Sequence, residues 1–160
     1  MKTCGIAGQW DILSIEYHQD ADLPPSGRLM ELLWQLVENH GVQHFVVSMD
    51  QGGGLLAANL IEILREGWPH VRLTCVILWE EQAIRWPEPV RDEWFQVIAD
   101  CDEEIMLEHH RSAENLIKRD RLLLERCDSL VLLKNPDCGL AWNLVAQAKE
   151  KGLLVRELVL

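Results

Sequence analysis

Short apolar runs alternate with stretches in which leucine, valine and alanine recur every three or four residues, from one end of the chain to the other. The runs at 2–7 (KTCGIA), 42–48 (VQHFVVS), 71–79 (VRLTCVILW), 104–107, 129–133 and 153–158 read as strands. The segments 27–39, 55–66, 88–99, 113–126 and 140–151 carry helical periodicity. In the first of these, Leu29, Leu32, Leu33, Leu36 and Val37 fall on one face, Ser26 stands at the capping position, and His40-Gly41 ends the pattern. The 71–79 run is almost unbroken in its apolar character, as a central parallel strand covered on both faces requires. Strand followed by helix, repeated in a single order, predicts crossover units and hence one doubly wound α/β domain over 1–160. Its six-stranded sheet is expected to be mostly parallel, with helices on both faces. The polar, proline-bearing stretch 9–25 is longer than a simple connection needs and reads as a functional or partly ordered loop.

Composition narrows the setting. A chain of 160 residues with 48% hydrophobic and 26% charged positions can bury one continuous core unaided. A formal charge of -11 and a pI near 4.9 oppose binding to a phosphodiester backbone, so nucleic acid is not an expected partner. The first residues, with one lysine and a short apolar run, do not make a signal peptide, and no run has the length of a membrane span. A cytoplasmic protein without membrane contact is expected. Five cysteines, at 4, 75, 101, 127 and 138, are odd in number and lack C-x-x-C spacing, which fits reduced, buried thiols. His109 and His110 are adjacent, so their side chains diverge, and no metal site is expected.

The candidate chemistry begins at SMDQGGGLLAANL, residues 48–60. In a doubly wound sheet the loops leaving the carboxyl ends of the strands line one crevice, where ligands sit. The run from Asp50 to Gly54 is such a loop, and Gly52, Gly53 and Gly54 would leave the amides at the start of the next helix open to an anion. The helix dipole adds about 0.3–1 kcal/mol at an exposed end. The plainer alternative is a tight turn that needs positive φ. The run is neither G-x-G-x-x-G nor a P-loop, since no Lys-Ser or Lys-Thr follows. Two further loops reach the same edge: GQWD after the first strand offers Gly8 and a stackable Trp10, and NPDCGLAWN at 135–143 offers Gly139. Trp10 and Trp142 suit an ordinary amphipathic surface equally well. Gln82, just past a strand end, could read a base or a ribose hydroxyl. Arg111, Arg119, Asp120 and Arg121 are the other polar candidates; helical spacing cannot put 119, 120 and 121 on one face, and a solvated arginine-rich face is their alternative.

The segment WEEQAIRWPEPVRDEWFQVIADCD, 79–102, resembles the signature of the YpsA-like proteins: an aromatic at a strand end, an E-Q pair, a tryptophan four residues after the Gln, and a helix with a second aromatic before an A-x-x-D ending. The matching positions are Trp79, Glu81, Gln82, Trp86, Trp94, Ala99 and Asp102. KRDRLLLERCDSLVLL (118–133) is similar to that family's R-N-x-x-M-V-D-x-S-D run and draws Arg119 and Arg121 into the site. VSMDQGGGLLAA (47–58) occupies the place of its S-G-x-x-G-x-D/E-x-x-A-A loop, which adds Ser48. The resemblance implies a Rossmann-like domain of the SMF/DprA and LOG superfamily, with a nucleotide or nucleotide-derived ligand, ADP-ribose among them, in the crevice. One branch of that superfamily cleaves cytokinin nucleotides between base and ribose phosphate, and another helps load single-stranded DNA. The chain departs from the pattern at Met49 and Gly54 in the first loop, at Leu78, at Asp120, and at Gly139-Leu140. It matches the P-G-G-x-G-T-x-x-E loop of the nucleotide-cleaving branch only at Pro136 and one glycine.

Three functions follow. The first is a nucleotide-binding domain that holds a phosphate on Gly52, Gly53 and Gly54, completed by Gln82 and the Gly139 loop. The second is a hydrolase of an N-glycosidic bond, for which Asp50 and Asp120 are the candidate carboxylates. The third is a non-catalytic scaffold, which seven tryptophans and the apolar tail LLVRELVL would suit as a dimer.

Overall fold

The computed structural model describes residues 1–8, 25–50, 52–134 and 143–159. The elements run β1 (Lys2–Gly8), α1 (Pro25–Glu38), β2 (Val42–Ser48), α2 (Gly53–Gly67), β3 (Arg72–Ile77), α3 (Glu88–Asp100), β4 (Glu103–Met106), α4 (Glu114–Arg126), β5 (Ser129–Lys134), α5 (Asn143–Glu150) and β6 (Leu154–Val159). The six strands form one sheet in the order β4-β3-β2-β1-β5-β6. Every neighbouring pair is parallel. β1 thus lies at the centre, with Ile6 in register with Val47 of β2 on one side and Val131 of β5 on the other.

Because successive side chains of a strand point to opposite faces, each strand feeds two cores. Ile6, Phe45, Val47, Leu73 and Ile77 join Leu33 of α1, Ile61 of α2 and Trp94 of α3. Ala7, Val46, Val76, Leu130 and Leu132 join Leu123 of α4 and Leu144 of α5. Helices α1 to α3 therefore cover one face and α4 and α5 the other. The sheet is doubly wound, and β1, where the strand order reverses, marks the switch point at which such sheets open a crevice. The four described cysteines are free thiols. Burial pushes the Cys4 thiol up to about 11, so it is inert as a nucleophile at neutral pH.

The β4-to-β5 connection has the longest way to go. β4 is an edge strand and β5 lies beyond β1, so α4 crosses the ends of β3, β2 and β1 on its way. Asn115, Arg119 and Leu123 recur every four residues along its buried side, and Cys127 continues the row just past its end. The row meets different neighbours in turn. Asn115 Nδ2 donates to the Leu78 carbonyl beyond β3, Arg119 meets Asp50 beyond β2, and Leu123 packs into the core with Ala7 of β1. One helix thereby draws the polar groups of two strand ends into a single cluster.

Candidate functional site

The sequence places the start of α2 at Leu55, after a glycine loop; the helix instead begins at Gly53. Its first turn is built by two glycines with separate tasks. Gly52 holds φ 95°, a conformation that side chains with a Cβ adopt only at a cost. Gly54 is a point of contact: a Cβ there would run into the Ser48 carbonyl oxygen and lie 3.1 Å from its carbonyl carbon. The helix can therefore sit directly on the end of β2. Leu55 N donates to Asp50 O at 3.0 Å and Leu56 N to Gly52 O at 2.9 Å. The amides of Gly53 and Gly54 come before the first intrahelical bond, where an α-helix leaves its N–H groups without partners of its own.

Beside this turn stands a buried cluster of charge. Asp50 Oδ2 accepts from Gly8 N at 3.4 Å and from Arg119 Nη1 at 3.4 Å. Arg119 also reaches Asp120 Oδ1, through Nη2 at 2.9 Å and Nε at 3.0 Å. The side chains of Arg119 and Asp50 are only 3% and 7% exposed, so these groups have given up most of their water. Among the described residues, one guanidinium is thus shared by two carboxylates. Burial raises the Asp120 carboxyl above its ordinary value, Arg119 pulls it back down, and Asp50 pushes it up again. Loss of Arg119 would strand Asp50 in the interior, at a cost of about 3–5 kcal/mol. Two polar oxygens here, Asp50 Oδ1 and Ser48 Oγ, are buried with no hydrogen-bond partner among the described residues.

One strand further along, the turn after β3 is braced by amide side chains. Gln82 Oε1 accepts from Leu78 N at 2.9 Å, and Gln82 Nε2 donates to Met49 O at 2.7 Å. The amide read from the sequence as a base contact is thus engaged at both ends by main chain, and it locks the β2 and β3 ends together. Asn115 holds the other side of Leu78 and also accepts from Ser112 N. The Cζ of Arg111 stands 5.6 Å from the centre of the Trp79 ring. Cavities of about 420 Å³ and 460 Å³ flank this pair, the first lined also by Ile84, Arg85, Trp86 and His109, the second by Ser112 and Leu116.

The structure brings Gly8, Ser48, Asp50, Gly52, Gly53, Gly54, Arg119 and Asp120 to one strand edge, with Trp79 and Gln82 beside them. Arg121, midway in sequence between Arg119 and Leu123 of the buried row, is exposed. Arg119 thereby leaves the solvated arginine face that the sequence offered as its alternative. Trp10 and Gly139 lie outside the described residues. No motif in the sequence marks Asn115; its four-residue spacing from Arg119 and Leu123 is the available signal. Among the described residues, no three His, Cys, Asp or Glu side chains gather as metal ligands, and no helix is long and apolar enough to cross a membrane.

An open parallel sheet with its helices divided between two faces, and glycine and charge collected at the switch point, defines a Rossmann-like α/β domain. A family model for YpsA, described as the YspA SLOG family, matches residues 27–151, and the chain belongs to that family. Curated relatives agree. The UPF0398 protein YpsA of Bacillus subtilis is 26% identical over 101 residues, covering 62% of this chain and 56% of its own length. A UPF0398 protein of Bacillus velezensis is 26% identical over 115 residues, covering 71% and 63%. One from Lysinibacillus sphaericus is 21% identical over 108 residues, covering 66% and 60%. The matched region thus spans less than two thirds of each of these relatives.

Proposed function

We propose that this domain binds a nucleotide or nucleotide derivative at the β1–β2 strand ends, with its phosphate on the amides of Gly53 and Gly54 and its ribose against Asp50. The observation that carries this reading is a pairing of opposites at one strand end. Helix-start amides favour an anion. The buried Asp50 Oδ1, without a partner among the described residues, favours a hydroxyl that donates to it. A ribose phosphate supplies both groups in one molecule. Arg119 offsets part of the carboxylate charge that would repel the phosphate. Gly8, Trp10 and the Gly139 loop would complete the pocket, and Gln82 would act by fixing the β2 end. We further propose a cytoplasmic setting and a small-molecule partner. Self-association is left to the exposed apolar residues of β6, Leu154 and Val159.

Thermal unfolding with a panel of nucleoside monophosphates, diphosphates and ADP-ribose tests the reading. A ligand at about 100 times its dissociation constant adds roughly 2.7 kcal/mol of stability. Gly53→Asp, which puts a carboxylate against the phosphate, should abolish that gain. A panel that leaves the unfolding midpoint unmoved sinks the proposal.

One observation favours a second reading, hydrolysis of an N-glycosidic bond. Asp120 is a half-buried carboxyl with a raised pKa, one guanidinium away from Asp50, and general acid catalysis uses groups tuned in this way. It predicts free base from nucleoside monophosphates, lost in Asp120→Asn and in Asp50→Asn. Unchanged nucleotide after long incubation excludes it.

A further inference from the structure

We propose that the cavity at Trp79 is a nucleobase subsite, in which a planar heteroaromatic ring stacks on the indole and is bordered by Arg111; the inference rests on the nucleotide reading above. Trp79 is a partly buried aromatic just past the end of β3, and it lines both cavities. Its backbone is held from several sides. Trp79 O accepts from Gln82 N at 3.1 Å, the preceding Leu78 N is bonded by Gln82, and Leu78 O by Asn115. A ring mounted on so fixed a main chain is a platform set before any ligand arrives, which spares the ordering cost of binding.

Three features give the subsite its chemistry. The flanking cavities, of about 420 Å³ and 460 Å³, fall in the size range of small-molecule sites. Arg111 already sits over the indole, and Arg85 lines the same cavity, so two cations border it in a chain of net charge -11. Tryptophan and arginine planes are the surfaces on which bases stack, and Glu81, His109 and His110 offer donors and acceptors for a base edge. The placement also fits the proposed phosphate position. Gln82 lines the cavity and bonds Met49, four residues before Gly53, so base and phosphate would rest on neighbouring strand ends, about 4.8 Å apart in a parallel sheet.

Calorimetric titration with AMP, ribose 5-phosphate and adenosine separates this subsite from the phosphate site. Stacking on one aromatic changes affinity by about tenfold or more. AMP should therefore bind wild-type protein at least about tenfold more tightly than ribose 5-phosphate. Trp79→Ala should remove that advantage while ribose 5-phosphate binding stays as it was, and Trp79→Phe should retain most of it. A circular-dichroism melt of each variant checks that the fold is kept. Equal binding of AMP and ribose 5-phosphate, both indifferent to Trp79→Ala, would overturn the base subsite and leave the phosphate reading standing. Adenosine binding that needs Trp79, with no binding of ribose 5-phosphate, would uphold the subsite and remove the phosphate site. If none of the three binds, both proposals fall.

Discussion

Three consecutive glycines look identical in a sequence and are not identical in the folded chain. Gly52 is there for a positive φ, and Gly54 because the helix lies against the Ser48 carbonyl. Gly53, between them, is a buried residue of the helix's first turn, so a melt of any Gly53 variant without ligand has to accompany its binding measurement. Gly54→Ala should therefore cost about 3 kcal/mol or more in a urea melt, the upper end of what overpacking against rigid backbone costs, without any ligand present. A Gly54→Ala protein as stable as wild type would mean the close approach to β2 is not real. The sequence announced that something special happens at 52–54. It could not apportion the glycines, because the need at residue 54 comes from a carbonyl at the end of another element. Gln82 was recognisable as a residue of interest for its place after a strand, but its partners, Met49 and Leu78, are fixed only by strand order.

At the scale of elements, the strands and helices were readable nearly to their ends, since burial on both faces of a parallel sheet writes long apolar runs into the chain. Helix α4 was the instructive exception. Its leucines announced an amphipathic helix, yet two of the residues on its buried row are Asn115 and Arg119, which a hydropathy pattern assigns to solvent. Their burial follows from the long crossover, which carries α4 past the ends of β3 and β2 where main-chain and carboxylate partners wait. Asn115→Ala should strand the Leu78 carbonyl and cost about 1–3 kcal/mol. Hydrogen exchange should accelerate in the first turns of α4 and in the 78–82 turn, and leave β5 unchanged. Exchange that stays as slow as in wild type at 78–82 would show that Asn115 does not hold this turn.

For the molecule as a whole, the doubly wound class was legible from alternation alone, whereas the strand order, and with it the meeting of Asp50 with Arg119, was not. Acidity bears on the same sheet. His44 of β2 is half-buried and bonded to Thr74 Oγ1 at 2.7 Å. Burial, helped by the charge of Arg72, lowers its pKa below the ordinary 6.5. The unfolded chain then binds this proton more readily than the folded one, so the contribution of His44 is intact above pH 6.5 and declines as pH falls through and below that value. Denaturant midpoints measured on either side of it should show the decline in wild type and a flatter profile in His44→Gln. The central claim, though, concerns the first turn of α2, and amide chemical shifts reach it directly. In a ¹⁵N–¹H titration with AMP, the largest shifts should fall on the amides of Gly53 and Gly54, with Asp50 and Gly8 following at the same midpoint. Shifts confined to residues elsewhere, or none at concentrations well above those of cellular nucleotides, would contradict it.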